Sequence, residues 1–215
     1  MTVRSSGLPP VVLASGSPRR SALLAMVGVP FDVLPADVDE AFLPGEEAEA
    51  AAVRLARLKG EAVRRQRPDA LVLAFDTIVA LEDRLFGKPR DGKEAAEMLR
   101  ALSGRTHRVV TGLYAALGGR VETAAEVARV TMVPLSEDVI RTYVATGEPM
   151  DKSGAYAVQG RAALFVERID GDYTNVVGLP LFALRGLVRR LGIDLADYWT
   201  VRSEAEVGGA LPQNG

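Results

Sequence analysis

Residues Val11-Val12-Leu13-Ala14 form a short, wholly apolar run that Ser15-Gly16-Ser17 brings to a stop. Ser17 suits the N-cap of a helix and Pro18 its first position, where a missing N–H costs nothing. Leu23, Leu24 and Val27 then recur at helical spacing. A buried strand, a tight Ser/Gly turn and a helix N-terminus bring free backbone N–H groups and the positive end of the helix dipole to one spot. Arg19 and Arg20 occupy the first helical turn. Cations oppose the dipole there, yet their guanidinium forks match phosphate oxygens bidentately. This stretch therefore predicts an α/β start with an anion site at its turn. An ordinary capped helix with two solvated arginines is the competing reading.

The rest of the chain extends this beginning into a mixed-sheet α/β protein. Residues 31–34 suit a second strand, followed by an acidic loop holding Asp37, Asp39 and Glu40. Carboxylates so close together either hold a hard cation or form a solvated loop. From Glu46 to about Gln66 an Ala-rich helix carries acidic residues early and basic ones late, matching its dipole, with Lys59 inside it. Residues 70–75 read as a buried strand. Asp76-Thr77 then falls inside an apolar run that resumes through residues 78–81. A bare carboxylate there is expensive, so Asp76 must be hydrogen-bonded, metal-bound or at a sheet edge.

Glu82-Asp83-Arg84 reads as a turn, and Gly87-Lys88-Pro89 as a stiff loop presenting one ammonium group. Asp91 and Glu94 suit a capping box for a helix through Leu102. Residues 106–117 and 120–133 are predicted strands joined at Gly118-Gly119. Ser136 caps a short helix to about Thr146. The polar, glycine-rich segment 148–160 has the composition of a binding loop. A strand over 162–169, a turn over 170–173 and an amphipathic helix over 179–191 complete the reading. The tail from about Ser203 is expected to fray.

Composition removes several classes. With no cysteine there is no thiolate chemistry or disulfide, and a single histidine, His107, disfavours a Ser-His-Asp triad or a histidine-rich metal site. A net charge of −2 and 6% aromatic residues disfavour nucleic-acid binding. No apolar run approaches the roughly 20 residues of a membrane span. The first ten residues lack the features of a signal peptide, so the cytoplasm is the expected location.

What remains is a set of cations (Arg19, Arg20, Lys59, Lys88), carboxylates (Glu40, Asp76) and small hydroxyls (Ser15, Ser17, Thr77). No nucleophilic cysteine accompanies them, and neither the P-loop nor the GxGxxG pattern is present. The inventory suits a polyphosphate ligand, a divalent cation and an activated water, and so phosphate hydrolysis.

The segments ASGSPRR, the strand around Asp76-Thr77, GKPRD, LSGRTHRVVTG, GEPMDKSGAYAVQGRAALFVERIDGDY and VVGLPL occur in that order. Together, over about residues 9–192, they resemble the Maf family of nucleoside triphosphate pyrophosphatases. The resemblance implies an elongated, two-lobed α/β protein with a twisted mixed sheet flanked by helices. It further implies a single catalytic domain over 1–202 with a central cleft, a flexible tail over 203–215, and often a homodimer. The implied reaction is Mg²⁺- or Mn²⁺-dependent conversion of a nucleoside triphosphate to monophosphate and pyrophosphate.

By the same resemblance Asp76 is the catalytic aspartate, and Glu40 joins it near the metal. Ser15, Arg20, Lys59 and Lys88 line the triphosphate, while Arg19, Thr77 and Gln159 set nucleotide preference; Ser17, read from its place at the turn, joins the phosphate-binding set. These specificity positions and the DKSGAYAVQG loop look like the branch acting on dTTP and UTP. Phe75 departs from the family, which usually has a small residue before the aspartate. It either narrows the floor of the cleft or packs away from it. A purine-directed triphosphate pyrophosphatase, and a nucleotide-binding regulator of septum formation without essential catalysis, are the alternatives.

Overall fold

The computed structural model describes residues 7–199. The expected tail from Ser203 and the first six residues lie outside the described residues. The strands are β1 (Val11–Leu13), β2 (Asp32–Val33), β3 (Leu71–Leu81), β4 (Arg84–Phe86), β5 (Thr106–Leu117), β6 (Arg120–Met132) and β7 (Val166–Asp170). The helices are α1 (Pro18–Met26), α2 (Ala48–Arg64), α3 (Gly92–Leu102), α4 (Glu137–Ala145), α5 (Tyr173–Val177) and α6 (Leu181–Arg190). One mixed sheet runs in the order β2-β1-β3-β5-β6-β7, with β4 also on β3. This is the expected α/β class.

The sheet is split, and the split makes the cleft. β5 pairs with β3 along residues 72–80, which occupies one edge of β3. On the other edge β1 runs parallel to residues 71–73, and β4 runs antiparallel to residues 79–81. Between them residues 74–78 have no strand partner on that edge among the described residues. Asp76 and Thr77 sit in this gap.

Alternation along β3 distributes its side chains between two faces. Leu71, Leu73 and Phe75 join the core that includes Leu24 of α1 and Leu184, Leu187 and Val188 of α6. Val72, Ala74, Ile78 and Ala80 face α2, whose buried stripe Ala48, Ala51, Ala52, Leu55, Ala56, Lys59, Gly60 and Val63 recurs at helical spacing. Small residues let α2 approach closely. A Cβ on Gly60 would lie 2.1 Å from the Tyr114 ring, and one on Gly112 would lie 2.1 Å from the Ala52 carbonyl oxygen. This contact presses Lys59 toward Asp76.

Several local expectations are corrected. The strand read over 70–75 does not end before Asp76 but runs on to Leu81, because β5 pairs with β3 on both sides of Asp76, which is mid-strand. Ser17 is the N-cap of α1, but its side chain makes no capping bond. Glu94 does not close a capping box on Asp91, since its carboxylate accepts from the Arg90 backbone and guanidinium instead. Asp91 still caps α3 by accepting from Glu94 N at 2.8 Å. Helix α2 starts at Ala48, and Glu46 is drawn onto the Arg54 guanidinium.

The strand expected over 162–169 is a 3₁₀ turn over Arg161–Phe165 followed by β7, because β6 ends at Met132, opposite Val166. Helix α5 lies between the expected turn over 170–173 and α6, where no element was expected. Asp172 caps it through Thr174 N at 2.7 Å, and Gly178, at φ +114°, ends it. β4 extends the segment read as a turn.

Candidate active site

A cleft of about 970 Å³ opens at the split in the sheet. All ten residues singled out by sequence line it: Ser15, Ser17, Arg19, Arg20, Glu40, Lys59, Asp76, Thr77, Lys88 and Gln159. Six basic side chains and four carboxylates face the space. A chain of net charge −2 thus gathers positive charge at this one concavity, which focuses the field on an anion.

Two side chains on α2 and β3 form its base. Lys59 Nζ lies 2.5 Å from Asp76 Oδ1, and both residues are 7% exposed. The same ammonium lies 3.1 Å from Glu40 Oε2, on the acidic loop. Burial pushes the Asp76 carboxyl above the ordinary carboxylate range; the Lys59 ammonium and Arg20 guanidinium pull it back, and Glu40 adds to the rise. Among the described residues only Oδ1 of Asp76 has a hydrogen-bond partner. Oδ2 is left for a ligand or water in the cleft.

The β1–α1 turn supplies the opposite wall. Arg20 donates from Nε to Gly178 O at 2.7 Å, from Nη1 to Ser15 Oγ at 3.1 Å and from Nη2 to Thr77 Oγ1 at 3.0 Å. Three of its five N–H groups are so committed, leaving two. Ser15 Oγ also accepts from Ser17 N at 3.3 Å, shaping the turn. Neither arginine of α1 is simply solvated, for Arg19 Nη1 pairs with Asp151 Oδ2 at 3.0 Å. Lys88 and Gln159 are exposed on the cleft rim, on separate loops that meet where Gly154 N donates to Gly87 O.

Phe75 packs away from the cleft. It is fully buried in the core, and its ring centroid lies 5.9 Å beneath the Arg20 guanidinium carbon. Cation and ring support one another there.

Sequence reading did not single out Asp151, Ser153, Thr111 or Asn175. Ser153 Oγ donates to Thr77 O at 2.6 Å, bonding the glycine-rich loop to the open part of β3. The polar composition of that loop was the available signal.

Glu40 and Asp76 are the pair suited to a divalent cation. Among the described residues no group of three or more His, Asp or Glu side chains is arranged to hold a metal. Two carboxylates with a free oxygen on Asp76 nevertheless fit a Mg²⁺-type site, which takes one or two carboxylates plus substrate phosphates.

A mixed sheet split over a basic cleft, with a carboxylate buried at its base, defines an α/β protein built to hold an anion against a potential proton acceptor. A family model described as Maf-like protein matches residues 10–191, and the chain belongs to the Maf family. A protein of Aromatoleum aromaticum named dTTP/UTP pyrophosphatase is 47% identical over 199 residues, covering 86% of this chain and 97% of the relative. Proteins of the same name from Nitratidesulfovibrio vulgaris and Myxococcus xanthus are 48% and 50% identical over 186 residues. Those alignments cover 85% and 86% of this chain, and 88% and 94% of the relatives.

Proposed function

We propose that the protein hydrolyses dTTP and UTP to the nucleoside monophosphate and pyrophosphate, by attack of water at the α-phosphorus. The observation that carries this reading is Asp76, buried at the base of a basic cleft with one oxygen on Lys59 and the other without a partner among the described residues. The names and coverage of the relatives favour this substrate pair.

The Asp76 carboxylate accepts the proton of the attacking water, and a carboxyl raised by burial is a better base than an ordinary one. Lys59 keeps that carboxyl ionised. The two remaining N–H groups of Arg20, with Ser15, Ser17 and Lys88, hold the triphosphate and stabilise charge developing on pyrophosphate. Glu40 and Asp76 would hold a divalent cation such as Mg²⁺ or Mn²⁺, which would neutralise charge on the phosphates. Arg19, Thr77 and Gln159 face the nucleoside; the Gln159 amide offers both a donor and an acceptor to a pyrimidine edge.

The chain acts as a single catalytic domain in the cytoplasm and as a homodimer. None of the helices among the described residues is long and apolar enough to cross a membrane.

A panel of nucleoside triphosphates with Mg²⁺ or Mn²⁺ tests the reading. Pyrophosphate and monophosphate should appear fastest from dTTP and UTP, and Asp76→Asn should lower turnover on the order of a hundredfold or more. Preferred turnover of purine triphosphates, or an Asp76→Asn variant as active as the parent, contradicts it.

A further inference from the structure

Behind Thr77 lies a chain of hydrogen bonds whose direction is fixed at both ends. Arg20 Nη2, which can only donate, is 3.0 Å from Thr77 Oγ1. Thr77 Oγ1 is 2.9 Å from Thr111 Oγ1, its neighbour across the β3–β5 register. Thr111 Oγ1 is 3.2 Å from the Asn175 carbonyl oxygen, which can only accept. Thr111 is fully buried, and among the described residues its hydroxyl has no other partner than these two oxygens. Its proton goes to Asn175 O, since the reverse would set two lone-pair oxygens against each other. Thr77 must then give its own proton to Thr111. Its oxygen, with one lone pair on Arg20, presents to the cleft a second lone pair and no proton. Gly178 leaves that oxygen uncovered, for a Cβ there would lie 3.2 Å from it.

We infer that Thr111, which does not reach the cleft, is a positioning residue for specificity: it holds Thr77 as a pure acceptor, and the site thereby favours pyrimidines with a ring N–H over those with a bare ring nitrogen. Uracil and thymine carry a proton on N3; cytosine carries a lone pair there. The inference rests on the pyrimidine triphosphate reading above and assigns the atom that enforces it. A lone pair facing a lone pair leaves both unpaired, and sites built to bond one partner reject its unpaired analogue strongly.

The test measures kcat/KM for UTP and CTP on the full-length protein, its Thr111→Val variant and its Thr111→Ser variant. Removing the hydroxyl frees the Thr77 proton to face the cleft, so Thr111→Val should lower the UTP-to-CTP ratio, on the order of tenfold, chiefly through better use of CTP. Thr111→Ser restores the proton acceptor and should keep the parent ratio. Thr111→Ala deletes the same hydroxyl and serves if the valine variant does not fold. A general packing defect would lower both substrates together and leave the ratio alone. A parent that prefers UTP, with a ratio unchanged in the valine or alanine variant, overturns this inference alone. A parent that uses CTP as well as UTP also overturns this inference alone, whereas preferred turnover of purine triphosphates overturns the pyrimidine reading beneath it.

Discussion

Lys59 Nζ stands 2.5 Å from Asp76 Oδ1, with both side chains almost wholly shielded from solvent. Helix α2 and strand β3 meet at this pair, and Glu40 reaches the same ammonium from the acidic loop. One cation therefore holds two carboxylates, and through them it controls how readily Asp76 takes a proton.

Lys59→Met tests that control. Without the ammonium, burial and Glu40 both raise the Asp76 carboxyl further. A base must be ionised to work, so the acidic limb of the kcat–pH profile moves to higher pH. Breaking a buried ion pair by removing one partner also costs about 3 kcal/mol or more of stability. Urea unfolding at neutral pH and the pH profile read these effects separately. A profile with an unmoved acidic limb would detach Lys59 from the ionisation of Asp76.

The approach of α2 to the sheet depends on a missing side chain. Gly112→Ala would set a Cβ 2.1 Å from the Ala52 carbonyl oxygen and 2.5 Å from Val53 N, both backbone atoms that cannot swing away. Overpacking of this kind costs about 1–3 kcal/mol, sometimes more. The variant should unfold at lower urea and lose activity, because α2 carries Lys59. An unchanged midpoint and rate would mean that the helix–sheet spacing is slack.

His107 is buried, with Nε2 2.8 Å from the Tyr156 hydroxyl and Nδ1 without a partner among the described residues. Burial lowers its pKa to about 4. Below the ordinary value of about 6.5 the unfolded chain takes up a proton that the folded chain refuses until about 4. Stability is therefore lost as pH falls through that window, by roughly 3 kcal/mol in all. As the only histidine, it gives one imidazole signal in NMR. A titration midpoint near 4 is expected, and a midpoint near 6.5 would show an imidazole open to water.

Much of the site was legible because its local chemistry is conspicuous. Ser15 to Arg20 breaks an apolar strand and opens a helix with cations at the wrong end. Asp76 interrupts an apolar run, so its need for a partner could be read directly. The identity of that partner could not: Lys59 is a lysine in an Ala-rich helix until α2 folds onto β3. The bonds from Arg20 to Gly178 and from Arg19 to Asp151 join residues more than a hundred positions apart, and nothing local announces them. Helix α5 has five residues, too few for a periodic signal, although Asp172 and Gly178 mark its ends. The hydrophobicity of residues 162–165 suggested a strand, but pairing needs a partner and β6 stops at Met132.

Hydrolysis of UTP in ¹⁸O-enriched water tests the central claim most directly, with products separated and weighed by mass spectrometry. Attack at the α-phosphorus puts the label in the monophosphate and leaves pyrophosphate unlabelled. Label in pyrophosphate, or in orthophosphate released beside a diphosphate, would contradict the account of how this cleft works.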